Sequence, residues 1–258
     1  MTDAPCLAVD AVGQGKQRWE ENAAFWVKII REHRDRYRTE LTDPAMYEAI
    51  GNCDGLSVLD AGCGEGYMAR EIRRRGARQV VGVDKSEALI DAAITAAGQD
   101  AGLIFNAADL GALPLDDSAF DLIVANHVVN DLHDITTPVR EFARVLTPSG
   151  RLVILMLHPC FYGIRAERQA LRTNLPVSEY FTPRAIEQHF EVDGIVSPSR
   201  TIAWVRPLED YTQALADAGF CITSLREPHP SAEQIRDSTW WRNNFPRPLF
   251  LLLTAVKH

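Results

Sequence analysis

The sequence predicts an α/β domain built on a mostly parallel, doubly wound sheet. Three observations carry that expectation. From Ser57 onward, short continuous apolar runs alternate with helical stretches, the pattern of strands buried on both faces. The first run ends in a glycine cluster, Gly62, Gly64 and Gly66. The last two runs have no helical crossover between them, which makes them antiparallel neighbours.

The elements follow in order. Gln17–Leu41 is helical in composition, with Trp19, Phe25, Trp26, Ile29, Ile30 and Tyr37 as an apolar stripe at helical spacing. Asp43-Pro44 reads as a cap followed by proline at the first position of a short helix to Ile50. Strands are expected at Ser57–Asp60, Gln79–Val83, Leu103–Asn106, Phe120–Asn126 and Arg151–Leu157. Between them, Tyr67–Arg75 is a helix stopped by Gly76, and Ser86 caps a helix ending near Ala97. Thr137-Pro138 starts the helix after the fourth strand, and Pro148-Ser149-Gly150 turns into the fifth. From His158 to Val205 the rhythm stops. That stretch carries prolines and the aromatics Phe161, Tyr162, Tyr180, Phe181 and Phe190, and is read as a lid. A helix at Leu208–Ala218, stopped by Gly219, and strands at Cys221–Arg226 and Leu249–Val256 complete the chain.

Composition narrows the classes. The 258 residues, 46% hydrophobic, suit one globular domain with a proper core. No run approaches the roughly 18 apolar residues of a membrane span. Met1–Asp10 lacks the basic start and apolar run of a signal peptide, so a cytoplasmic location is expected, with no membrane partner. The cysteines Cys6, Cys53, Cys63, Cys160 and Cys221 are odd in number, widely spaced and free of CxxC pairs. That disfavours zinc, iron–sulfur and disulfide frameworks. A formal net charge of -8 repels a phosphate backbone and disfavours nucleic acid as a partner. The clusters Arg31, Arg34, Arg36, Arg38 and Arg73, Arg74, Arg75, Arg78 are read as solvated helix faces.

The decisive segment is Val58-Leu59-Asp60-Ala61-Gly62-Cys63-Gly64-Glu65-Gly66. Glycines that end a buried strand and open a helix let the backbone approach a ligand at the carboxyl ends of the strands. Asp84 ends the second strand, where a carboxylate accepts from two ribose hydroxyls. Asp109 follows the third, where it accepts from an adenine amino group. The rival is a nicotinamide dinucleotide site, whose GxGxxG fingerprint needs a third glycine for helix–strand packing. Tyr67 stands in that place here, where it can pack near the cofactor, and Asp60 would repel a pyrophosphate. The same carboxylate suits the ammonium and sulfonium of S-adenosylmethionine.

As a set, the segments from Val58 to Leu157 resemble the class I S-adenosylmethionine-dependent methyltransferases. Val58–Gly66 is similar to their first motif, and Val80-Val81-Gly82-Val83-Asp84 to the second strand with its ribose-binding acid. Ala108-Asp109-Leu110 resembles the adenine-contacting segment, Phe120-Asp121-Leu122-Ile123-Val124 the fourth strand, and Leu146–Leu152 the turn into the fifth. The resemblance implies a seven-stranded Rossmann-like sheet with the last strand antiparallel, and S-adenosylmethionine as cofactor. It implies that Asp60, Gly62, Gly64, Gly66, Asp84, Lys85, Asp109, Leu110 and Asn126 hold that cofactor. The chain is then one domain over residues 1–258. Residues 1–50 form a helical N-terminal cap, 51–157 the cofactor-binding core, 158–205 a substrate-lid insertion after the fifth strand, and 206–258 the completion of the sheet.

Methyl transfer from a sulfonium is an in-line displacement that in principle needs no metal. Its main demand is orientation, worth about 7–11 kcal/mol. A hydroxyl acceptor also gains from a base, and histidine titrates in the right range. His158, opening the lid, is the first candidate, with His127 and His133 beside it. Trp19 and Trp26 on the cap, Tyr180 and Phe181 in the lid, and Trp241 between the last strands are candidate pocket walls. The same Trp240-Trp241-Arg242 segment could instead form a contact between copies in a homo-oligomer. Cys160 reads as a buried or pocket-wall thiol. The expected reaction is methyl transfer to an O or N atom of a small organic acceptor, of the kind found in specialised metabolism. Two alternatives stay open: an RNA or protein acceptor, and a sensor that binds S-adenosylmethionine without turnover.

Overall fold

Seven strands form one sheet in the order β10-β11-β5-β4-β1-β2-β3. The strands are β1 (Ser57–Ala61), β2 (Gln79–Asp84), β3 (Leu103–Ala107), β4 (Phe120–Asn126), β5 (Leu146–Leu157), β10 (Phe220–Arg226) and β11 (Phe250–Lys257). The computed structural model describes the backbone of residues 7–162 and 180–258, and the side chains of 15–162 and 180–258. Cys6 and residues 163–179 of the expected lid lie outside the described residues.

β1 pairs in parallel with both β2 and β4, whereas β11 runs antiparallel to β5 and β10. The order reverses between β1 and β4, so the crevice lies at their carboxyl ends. The period-two alternation of each strand divides the core. Leu59, Val81, Ile123 and Leu152 face α5 (Thr136–Val145) and α6 (Leu208–Asp217). Val58, Val80, Leu122 and Val153 face α2 (Asp43–Ile50), α3 (Tyr67–Arg74) and α4 (Glu87–Ala97). Ser86 caps α4 through the Leu89 amide, as expected.

The cap departs from a single helix over Gln17–Leu41. α1 runs Leu7–Arg31, and His33 then adopts a left-handed φ of 53°. A new helical segment starts where the Asp35 carboxylate accepts from the Arg38 amide, passes through a π-helical turn at Arg38–Thr42, and continues into α2. Asp43 is therefore the first residue of α2 and not its cap, and it is buried.

α1 is held between the core and the insertion. Glu20 accepts from the amides of Glu87 and Ala88 at the start of α4, at 2.6 and 3.1 Å. Asn22, fully buried, donates to the Ser199 carbonyl at 3.0 Å and accepts from its amide at 2.9 Å. The insertion is not devoid of regular structure. β6 (Arg184–Gln188) pairs with β9 (Thr201–Val205), and β7 (Glu191–Val192) with β8 (Ile195–Val196), both antiparallel. Two short helices, α7 (Ala232–Asp237) and α8 (Thr239–Asn244), precede β11. No helix among the described residues is long and apolar enough to cross a membrane.

Candidate active site

The glycine turn after β1 is tied to the tip of β2. The amides of Gly62 and Cys63 donate to the Val83 carbonyl at 2.7 and 3.0 Å. Asp84 accepts from the Gly64 amide with one oxygen and from the Ser86 amide with the other, each at 2.9 Å. Burial raises its pKa, and these two amides act against that rise. Each oxygen keeps a further lone-pair direction for a ligand hydroxyl.

Gly62 has a φ of 71°, and a Cβ there would sit 2.3 Å from Val128, just past β4. Glycine is thus demanded both by backbone conformation and by close packing at the switch point. Gly62→Ala is expected to cost about 1–3 kcal/mol. A urea unfolding midpoint equal to that of the native chain would contradict it. Gly66 lets α3 approach Phe105 and Ala93, which a Cβ would meet at 2.7 and 3.0 Å. At Gly64 a Cβ would meet nothing within 4 Å, so this edge of the turn faces open space.

Two buried oxygens at the same tips lack hydrogen-bond partners: Asp60 Oδ2 and Asn126 Oδ1. Asp60 is 1% exposed. Burial pushes its carboxyl up to about 7, with the nearby Asp84 adding to the rise and the Ala69 backbone opposing it. Asn126 donates from Nδ2 to the Tyr67 hydroxyl at 2.6 Å. Tyr67 donates in turn to Asp43 Oδ1 at 3.1 Å. Arg38 lies over the Tyr67 ring at 4.2 Å and pairs with Asp43 at 3.6 Å. Arg38 is therefore a buried partner and not part of a solvated face.

A cavity of about 350 Å³ opens past the ends of β2 and β3, and its lining does not include Asp60, Gly62, Gly64, Asp84 or Asn126. Its lining includes Lys85, Asp109, Asp131, His133, Trp19 and Trp204. Asp109 accepts from the Gly111 amide at 2.7 Å, which fixes its loop. The Leu110 side chain is core, so only its backbone can serve a ligand.

The three candidate histidines separate sharply. His158 is 4% exposed, and both its ring nitrogens are engaged. Nδ1 accepts from the Cys160 amide at 3.1 Å, which leaves Nε2 as the donor to Glu227 at 2.8 Å. Burial lowers its pKa, while Glu227 pulls it back up. Both nitrogens of this candidate base are thus taken up within the protein, bridging the Cys160 amide and Glu227. His127 has a left-handed φ of 60° and packs edge-on against Phe250 at 5.4 Å. Loss of water around the ring, and the Arg38 charge, lower it to about 4, so it is neutral at physiological pH. His133 is exposed, lines the cavity and packs edge-on against Trp204 at 4.6 Å.

The candidate aromatics also divide. Trp19 lines the cavity and stacks on Trp26 at 6.0 Å. Trp26 packs between Phe25 and Phe190, joining the cap to the insertion. The Tyr180 hydroxyl accepts from the Leu208 amide at 3.1 Å and lies 3.5 Å from Cys160 Sγ, and Phe181 stands exposed beside it. Trp241 is 1% exposed and donates to Glu40 at 2.9 Å. It is a core residue, which corrects the expectation that it walls a pocket. Sequence reasoning missed Trp204, Asp131 and the Arg38–Asp43 pair. Nothing local in the sequence marks them.

Fold and site together define a Rossmann-like domain whose strand tips carry the acceptor groups of Asp60, Asn126 and Asp84 around a glycine turn. Residues 59–154 match a methyltransferase domain. Demethylmenaquinone methyltransferase of Tropheryma whipplei is 31% identical over 163 residues, covering 58% of this chain and 67% of that protein. Malonyl-[acyl-carrier protein] O-methyltransferase of Pseudescherichia vulneris is 39% identical over 108 residues, 42% of this chain. Only 41% of that relative's length is matched. A crystal structure of an S-adenosylmethionine-dependent methyltransferase from Mesorhizobium loti superposes with a TM-score of 0.66 at 28% identity. It covers 83% of this chain and 96% of that one. The chain belongs to the class I S-adenosylmethionine-dependent methyltransferases, whose cofactor is S-adenosylmethionine.

Proposed function

We propose that this chain transfers a methyl group from S-adenosylmethionine to an oxygen or nitrogen of a small organic acceptor. The observation that carries the reading is the pair of buried, unpartnered acceptor oxygens, Asp60 Oδ2 and Asn126 Oδ1, at the switch point beside the open edge of Gly64. Buried polar atoms are normally paired, so two such acceptors suit a cationic group. The bound cofactor supplies a methyl group on a positively charged sulfur. Asp60 and Asn126 receive the ammonium of its methionine arm. Asp84 takes the ribose hydroxyls with its remaining lone pairs. Lys85, Asp109 and the Leu110 backbone hold the base end.

The acceptor side of the cavity is assigned to Trp19, Trp204 and His133. The volume, about 350 Å³, lies in the range of small-molecule sites. The net charge of -8 and the small-molecule acceptor in the name of the Tropheryma whipplei relative, demethylmenaquinone, support the same class. His133 combines an open ring with a place on the cavity, and is the base for a hydroxyl acceptor.

The experiment is methyl-label transfer from the cofactor into a panel of small phenols, acids and amines, with total cellular RNA and protein in parallel. Label in small acceptors supports the proposal. Label confined to RNA or protein contradicts it. His133→Ala is expected to lower kcat about 10²–10⁴-fold with affinity for S-adenosylhomocysteine unchanged. His158→Ala should instead lower the melting temperature, by loss of the bridge to Glu227, with kcat largely kept. The reverse pattern would restore His158 as the base.

A further inference from the structure

We infer that Tyr67 is a positioning residue: through Asp43, it decides which end of the Asn126 amide faces the methionine arm of the cofactor. The inference rests on the donor reading given above. A tyrosine hydroxyl has one proton and two lone pairs. Asp43 Oδ1 lies 3.1 Å from it, and an ionised carboxylate only accepts, so Tyr67 spends its proton there. The Tyr67 oxygen can then only accept, and Asn126 must present Nδ2 to it, at 2.6 Å. Oδ1 is thereby turned away from Tyr67, and it is the atom that is buried without a partner.

Arg38 keeps Asp43 in the form this chain of bonds needs. Its guanidinium is 3.6 Å from Asp43 and covers the Tyr67 ring. Burial raises the Asp43 carboxyl to about 6, with Arg38 and Tyr67 pulling down and Asp35 and Glu71 pushing up. It therefore remains mostly ionised at pH 7.5. Asp43 and Arg38 both come from the cap, outside the methyltransferase core match. A reversed amide would aim Nδ2, a donor, at an ammonium. The cap thus sets the polarity of a contact on the far side of the glycine turn.

The test compares S-adenosylhomocysteine with 5′-methylthioadenosine, which lacks the amino-acid arm, by calorimetry at pH 7.5. Tyr67→Phe removes the hydroxyl and frees the amide to turn. Asp43→Asn can donate to Tyr67, which sends the Tyr67 proton to Asn126 and reverses the amide. Both variants are expected to lose about tenfold in affinity for S-adenosylhomocysteine and to bind 5′-methylthioadenosine like the native chain. Unchanged affinity for S-adenosylhomocysteine, or an equal loss for both ligands, overturns the inference. If Tyr67→Phe does not fold, Asp43→Asn decides alone, and a thermal melt separates poor folding from selective loss. Failure of the native chain to bind S-adenosylhomocysteine would remove the donor reading itself. Native binding with insensitive variants removes only the positioning role.

Discussion

Asp84→Ala is expected to lose about 10- to 100-fold in affinity for S-adenosylhomocysteine and to melt at a lower temperature than the native chain. The carboxylate does two things at once. It accepts the Gly64 and Ser86 amides at 2.9 Å, which fixes the glycine turn and the entry to α4. It also offers its remaining lone pairs to the ribose. Alanine leaves both amides without that acceptor, at about 1–3 kcal/mol for each that stays buried. Asp84→Asn separates the two effects. Its amide keeps one acceptor oxygen, so the melting temperature should recover more than the affinity. Isothermal titration and a thermal melt of the two variants measure this. Equal affinity in Asp84→Ala and the native chain would remove the ribose contact.

Affinity for S-adenosylhomocysteine should rise with pH between about 5.5 and 7.5, and Asp60→Asn should remove most of the rise, leaving only the part that follows Asp43 near 6. Burial pushes the Asp60 carboxyl up to about 7, so in the free protein it is protonated below that pH and charged above it. Its folded pKa is raised above the ordinary carboxylate value. The free protein therefore loses stability as pH rises from the ordinary carboxylate value, where the unfolded chain gives up the proton, to about 7, where the folded state gives it up too. An ammonium beside the carboxylate reverses the preference, and binding releases that proton. The limiting slope is about tenfold in affinity per pH unit. Asp60→Asn is neutral throughout. It should melt higher than the native chain at pH 8 when free, and bind more weakly there. A native affinity that is flat across this range would show that Asp60 meets no cation.

The donor half of this structure was legible because each of its signals is local. Val80–Val83 and Leu122–Ala125 are continuous apolar runs that only a doubly covered sheet can bury. Gly62–Gly66 and the Ser86 cap are read within a few residues. The insertion was not legible, because its strands are short and all but β9 are largely unburied. In β6, Ile186 is buried among Arg184, Ala185, Glu187 and Gln188, which gives no period to read. α7 did carry a readable signal: Ser231 and Gln234 form a capping box. The roles of the histidines could not be read at all. His158 is paired with Glu227, 69 residues away, and Arg38 is buried against Asp43 and Tyr67. Such partners are set by tertiary packing, and their residue types alone suggested a base and a solvated cation.

The most direct measurement is calorimetric titration of the purified chain with S-adenosylhomocysteine, with NAD alongside. Saturable one-to-one binding of the first, proton release near pH 7 and no heat from the second are the predicted results. Binding of NAD in place of S-adenosylhomocysteine, or of neither, would contradict the assignment of amino acid, sugar and base to the tips of β1, β4, β2 and β3.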